Sequence, residues 1–246
     1  VCEDGQGGLW FGCTGNRVYH SSTNGVQQFR LIPPSFRLDV NPDTLLDVKA
    51  VFTGLNRGTL GGNWVLAGTW GALAPHLFQL EYGRFVPLKL PQALDEKISA
   101  IFQDRAGRLW LGTQGGLLRF DDLKLFTTRD GLSADDVRAI AEDREGNLWI
   151  GTEGGGLNRL REGRFACFTR TNGLPGNSVS FVEVDSAGVL WVATSGGLAR
   201  FHEGKWTQYS KREGLASNNL GYLLEDERGS LWIGSNAGLM RLKKDE

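Results

Sequence analysis

The stretch EDREGNLWIGTEGGGLNRL, residues 142–160, decides how this chain folds. Asp143 and Gly146 mark a short polar turn, Leu148-Trp149-Ile150 is a compact apolar run, and Gly151-Thr152 opens a glycine-rich break before a second short run ends at Leu160. Two strand-length pieces joined by turn chemistry predict a β-hairpin. The hairpin recurs. QDRAGRLWLGTQGGLLRF begins at Gln103, VDSAGVLWVATSGGLARF at Val184, EDERGSLWIGSNAGLMRL at Glu225, and EDGQGGLWFGC opens the chain at Glu3. A worn copy, NWVLAGTWGAL at residues 63–73, keeps the Gly68-Thr69 step and lacks the Asp-x-x-Gly turn.

The tryptophans set the period. Trp110 to Trp149 is 39 residues, Trp149 to Trp191 is 42, Trp191 to Trp232 is 41, and the 100 residues from Trp10 to Trp110 leave room for two periods. A repeat of this length holding four short strands predicts a β-propeller blade. The expected fold is all-β: one propeller domain over residues 1–246, with six blades of four-stranded antiparallel sheet at about 1–45, 46–95, 96–134, 135–176, 177–217 and 218–246. Named A to D outward from the axis, the strands fall at 98–103, 109–113, 117–120 and 124–128 in the third repeat. The fourth has 137–142, 148–152, 157–160 and 164–169. The fifth has 179–184, 190–194, 198–201 and 205–210, and the sixth 220–225, 231–235 and 239–242. The sixth lacks its D strand, so the remainder of a longer parent chain is expected to supply it, and the chain by itself is expected to carry an open edge. The least regular segment, residues 21–62, reads as a long connection before an A strand near 48–53.

Composition agrees with one closed β structure. Glycine, at 35 residues, is about twice its usual ~7% share, as frequent tight turns with positive φ require. A net charge of −1 provides no pull toward nucleic acid or an anionic membrane. Cys2, Cys13 and Cys167 are odd in number and irregular in spacing, which reads as buried free thiols rather than a disulfide framework. No run of 18 apolar residues is present.

Strands such as LWIGT are apolar at consecutive positions, so both faces need cover, and blade packing on blade supplies it. Trp10, Trp110, Trp149, Trp191 and Trp232 are therefore expected to fill the gaps between blades, at a cost of about 3–5 kcal/mol for losing one. Asp104, Asp143, Asp185 and Asp226 are expected to accept backbone N–H bonds in their turns.

No catalytic constellation emerges. His20, His76 and His202 are scattered, with His202 read as a solvated C–D turn residue, and none has a partner at metal-ligand spacing. TEGGGL at Thr152 lies between two strands, so it is no phosphate cradle. No cofactor or metal site is expected. Binding is sought where the repeat varies on the face shared by the B–C and D–A connections. In the B–C turns these positions are Trp70, Gln114, Glu153, Ser195 and Asn236; in the D–A connections they are Arg129, Asp136, Asn177 and Asn219. Trp70 is aromatic where the other repeats are polar. It suits the apolar face of a sugar while amides and carboxylates bond the hydroxyls, or it packs under the 21–62 segment.

The pattern D-x-x-G-x-L-W-[IVLF]-G-T-x-x-G-L-x-R-[FL], with D-G-L-type turns at Asp130-Gly131-Leu132, Asn172-Gly173-Leu174 and Glu213-Gly214-Leu215, resembles the two-component regulator propeller repeat. Asp143, Gly146, Leu148, Trp149, Gly151, Thr152, Leu157 and Arg159 carry it here. The likeness covers nearly the whole chain and is weakest over 21–62. It implies the extracytoplasmic, ligand-binding sensor part of a membrane-anchored bacterial histidine kinase or hybrid sensor, often in seven-bladed rings and in many cases responding to oligosaccharides. The expectation is a periplasmic or extracellular, non-enzymatic domain. Its partners would be an oligosaccharide or other small ligand, the rest of the parent chain, and a second copy in a homodimer. A protein-interaction scaffold and a propeller lyase stand as the alternatives.

Overall fold

The structure is a computed structural model that describes residues 98–226 and 228–243 in full, together with Gly25 and the backbone of eight strands before them. Those are β1 (Cys2–Glu3), β2 (Leu9–Cys13), β3 (Arg17–Ser22) and β4 (Gly25–Arg30), then β5 (Leu46–Thr53), β6 (Asn63–Thr69), β7 (His76–Glu81) and β8 (Arg84–Leu88). They build two four-stranded sheets, each in chain order. The third sheet holds β9 (Ile98–Gln103), β10 (Leu109–Thr113), β11 (Gly116–Arg119) and β12 (Lys124–Phe126); the fourth β13 (Val137–Glu142), β14 (Leu148–Thr152), β15 (Gly156–Arg161) and β16 (Arg164–Phe168). The fifth holds β17 (Val179–Val184), β18 (Leu190–Thr194), β19 (Gly197–His202) and β20 (Lys205–Tyr209), and the last β21 (Leu220–Glu225), β22 (Leu231–Ser235) and β23 (Gly238–Leu242). The A and B strands of these four sheets begin and end where the repeat places them. The D strands stop one or two residues early, because Thr127, Thr169 and Ser210 instead cap 3-10 turns.

By compactness the chain divides into residues 1–107 and 108–246. In the first unit, β5 packs on β1 and β2. In the second, β13 packs on β10, β17 on β13 and β14, and β21 on β17 and β18. In each of these four pairs the later sheet lays its first strand over the inner strands of the earlier one. Trp149 and Leu157 of one sheet share a core with Val179, Val182, Leu190 and Val192 of the next, and Trp191, Ala193 and Leu198 share another with Leu220, Leu223, Leu231 and Ile233. All five residues of β10, of β14 and of β18 are buried, as a strand covered on both faces must be. The architecture is an all-β propeller. The expectation of six blades is corrected to four. Four blades follow one another through residues 98–243, three of four strands and a last one of three, each of the later three packed on the one before. Residues 1–88 contribute two further four-stranded sheets to the other compact unit.

Each repeat is fastened from its turn outward. Asp185 Oδ1 accepts the N–H groups of Ala187 (2.9 Å) and Val189 (2.8 Å), while Oδ2 accepts the Trp191 indole N–H at 2.8 Å. Asp143 and Asp226 hold Trp149 and Trp232 in the same way, each at 2.8 Å. One carboxylate therefore shapes the turn and aims the indole. The far side of that indole carries the arginine of the following strand. Arg159 sits opposite Trp149 across the β14–β15 ladder with its guanidinium carbon 5.7 Å from the ring centroid, and Arg200 repeats this over Trp191 at 5.8 Å. At the B–C turn Thr152 donates to the Gly156 carbonyl at 2.8 Å. Gly156 has φ of 92°, and a Cβ there would meet the Phe168 carbonyl oxygen at 2.2 Å, so no other residue fits.

The last blade shows what the stacking otherwise hides. Tyr222, Leu224 and Leu239 are 71%, 51% and 69% exposed. Their register equivalents two blades earlier, Ala139, Ala141 and Leu157, are 5%, 7% and 0% exposed, under the next sheet.

Candidate functional site

The B–C turn of a blade and the loop entering its own A strand meet at one end of the sheet. In the blade of β13–β16 the Glu153 N–H donates to the Asp136 carbonyl at 2.8 Å; in the next, the Ser195 N–H donates to the Ser178 carbonyl at 3.0 Å. This shared backbone bond places three side chains together in the first case. Arg138, second residue of β13, donates from Nη2 to Asp136 Oδ2 at 2.7 Å, and its Nε lies 3.9 Å from Glu153 Oε2. Two atoms of the group, Asp136 Oδ1 and Arg138 Nε, are buried with no hydrogen-bond partner. The side chains themselves remain partly exposed, Glu153 most of all.

Of the nine candidate residues, Asp136 and Glu153 are brought together. Gln114, Ser195 and Asn236 are exposed in the equivalent turns of their own blades. Asn219 is exposed at the position equivalent to Asp136, its N–H bonded to Ser217 Oγ at 3.0 Å. Arg129 lies in the 3-10 turn that starts the D–A loop, whereas Asp136 ends it. The Asn177 Oδ1 accepts the Arg170 N–H at 2.9 Å, the task that Asp135 performs for Thr128 at 2.7 Å and Asn218 for Lys211 at 2.8 Å. The position facing the turn is Ser178, one residue on. Trp70 and the side chain of Trp10 lie outside the described residues, as do those of Cys2, Cys13, His20 and His76. Trp110, Trp149 and Trp191 are buried, and Trp232 is half-buried on the uncovered last blade.

Arg138 escaped the sequence reading, although a signal was present. The second A-strand position is Ser99, Ser180 and Gly221 in the other three blades, so a charged residue there breaks the repeat. The reading of the cysteines as buried is corrected for Cys167, which is free and exposed, because β16 is the outermost strand of its sheet and none of its residues is fully buried. His202 is the half-buried last residue of β19 and not a turn residue; its Nε2 lies 4.0 Å from Glu203 Oε1. Among the described residues no group of three or more His, Cys, Asp or Glu side chains could hold a metal ion, and no helix is long and apolar enough to cross a membrane.

Comparison with known proteins bears on the repeat and on the fold. The family model described as "two component regulator propeller" matches residues 93–115, 131–154, 173–196 and 214–237, one segment in each of the four blades. No curated protein sequence matches the chain. Among solved structures it is similar to the extracellular domain of what is described as a hybrid two-component system from B. thetaiotaomicron, at 24% identity and a TM-score of 0.73, over 98% of this chain and 32% of that one. It is similar also to the extracellular domain of a protein described as a one-component system from the same organism, at 17% identity and a TM-score of 0.62, over 98% and 37%. A catalytically inactive virginiamycin B lyase from Staphylococcus aureus, solved with quinupristin, matches at 16% identity and a TM-score of 0.68, over 98% and 78%. At these identities the likeness is one of fold. The chain spans about a third of the length of the two extracellular-domain structures. The four matched segments are two-component regulator propeller repeats.

Proposed function

We propose that this propeller is the extracytoplasmic ligand-binding sensor domain of a bacterial two-component signalling protein, a membrane-anchored histidine kinase or hybrid, and that its ligand is an oligosaccharide. The observation that carries the reading is the contrast inside a repeat of this family. Turns, indoles and caps recur from blade to blade, while the side chains at the B–C and D–A end change to Gln114, Asp136 with Glu153, Ser195, and Asn219 with Asn236. Structure that repeats is doing packing, and residues that vary on one end of it are free to recognise something. Carboxylates, amides and hydroxyls are the groups that bond sugar hydroxyls. Sensing further requires that the ligand favour one of two states of the parent protein.

The test is a binding screen of residues 1–246 against an oligosaccharide array, followed by calorimetry on any hit. A saturable hit supports the reading. No hit, together with a tight protein partner recovered from the periplasmic fraction, refutes it in favour of a scaffold.

A further inference from the structure

The blades are internal controls for one another. The blade of β17–β20 has Ser178, Ser180 and Ser195 where that of β13–β16 has Asp136, Arg138 and Glu153, and it keeps the same strands, the same backbone bond between turn and loop, and the same buried B strand. The charged trio is therefore dispensable for building a blade. It also carries a cost. Asp136 Oδ1 and Arg138 Nε are buried without partners, and an unpaired buried acceptor and donor both oppose folding. A costly group that the fold can do without marks a place kept for something else.

We propose that Asp136, Arg138 and Glu153 form a subsite for a hydroxyl group of a neutral, polyhydroxylated ligand; this rests on the oligosaccharide reading above. The chemistry of the unmet atoms selects the ligand. One needs a donor and the other an acceptor, and a single hydroxyl is both. Two carboxylates against one guanidinium leave the cluster with a formal charge of −1, which disfavours carboxylates and phosphates. Glu153, the most exposed of the three, is the arm that rotates to admit the ligand; its carboxylate stands 3.9 Å from Arg138 Nε, beyond hydrogen-bond range, so little holds it. Asp136 Oδ1 and Arg138 Nε touch the hydroxyl. Asp136 also holds the guanidinium, through the 2.7 Å bond of its other oxygen.

The experiment replaces the trio with the neighbouring blade's residues, Asp136→Ser, Arg138→Ser and Glu153→Ser together, in the 1–246 chain. Both proteins are read on an array of neutral and uronic-acid oligosaccharides and by thermal melting. Expected is binding of neutral oligosaccharides by the wild type, weakened about tenfold or more in the triple variant, with a melting temperature equal to or above wild type. Glu153→Gln, which keeps an acceptor and matches Gln114, retains part of the affinity. A triple variant that binds as tightly as wild type, or that melts lower, overturns the subsite while leaving the sensor reading in place. So does preference for the uronic acids. A wild type that binds no member of the array overturns both.

Discussion

Asp185 offers a sharp test of how a blade is held. Its carboxylate is buried and accepts three N–H groups, from Ala187, Val189 and the Trp191 indole. Asp185→Ala removes all three bonds. Ala187 is exposed, so water replaces its bond. Val189 and Trp191 are buried, and their donors are stranded. At ~1–3 kcal/mol for each stranded donor, the loss is about 2–6 kcal/mol, a large part of the ~5–15 kcal/mol stability of an ordinary domain. Asp185→Asn is the finer probe. Its amide oxygen keeps the two turn bonds, and its NH2 faces the indole N–H, so only the charge-assisted indole bond is lost, about 1.5–3 kcal/mol. The assay is equilibrium unfolding in guanidinium chloride. Trp191→Phe removes the indole donor, and in that background Asp185→Asn should cost at least ~1 kcal/mol less, as a double-mutant cycle reads it. A D185N variant within ~0.5 kcal/mol of wild type, or strict additivity with W191F, would refute the claim that this aspartate aims the indole.

Three further outcomes are expected. In the blade of β13–β16, buried Asn158 accepts the Ser133 N–H at 3.0 Å and donates to Ser133 Oγ at 2.8 Å, where the next blade has the apolar pair Ala199 and Pro175. Asn158→Ala should destabilise by about 1–3 kcal/mol, and adding Ser133→Pro, which removes the stranded N–H, should recover most of it in the same denaturation assay. Asp226 titrates below its ordinary value of 3.8, because its carboxylate accepts first the Trp232 indole N–H and then the Ser230 N–H; Asp130 and Glu213, each bonded within a capping box, shift the same way. A folded-state value below the unfolded one stabilises above pH ~4 and is lost as pH falls from there through the lowered value, so melting temperature should drop below pH ~4 and drop less steeply in Asp226→Asn. Finally, the uncovered apolar face at Tyr222, Leu224 and Leu239 should make the 1–246 chain associate with rising concentration. Tyr222→Lys with Leu239→Lys should abolish that in sedimentation velocity, and unchanged association would place the contact elsewhere.

Much of the fold is legible in the chain by itself. The strands β13, β14, β17, β18, β21 and β22 run as the motif spacing dictates, because hairpin pairing is a local matter of apolar runs between turn residues. The turn aspartates were readable as N–H acceptors for the same reason. Their second task, aiming an indole six residues on, was not, since it depends on which way a strand residue points once paired. The number of stacked blades, the exposure of Cys167 on an outer strand and the open face of the last sheet were decided by which sheet lies on which. So was the candidate site. Asp136 and Glu153 each stand out as departures from the repeat in its turns, whereas Arg138 departs from it within a strand. Periodicity reports what every repeat shares, whereas a site arises where distant side chains converge, and only the packed structure brings Arg138 between two carboxylates.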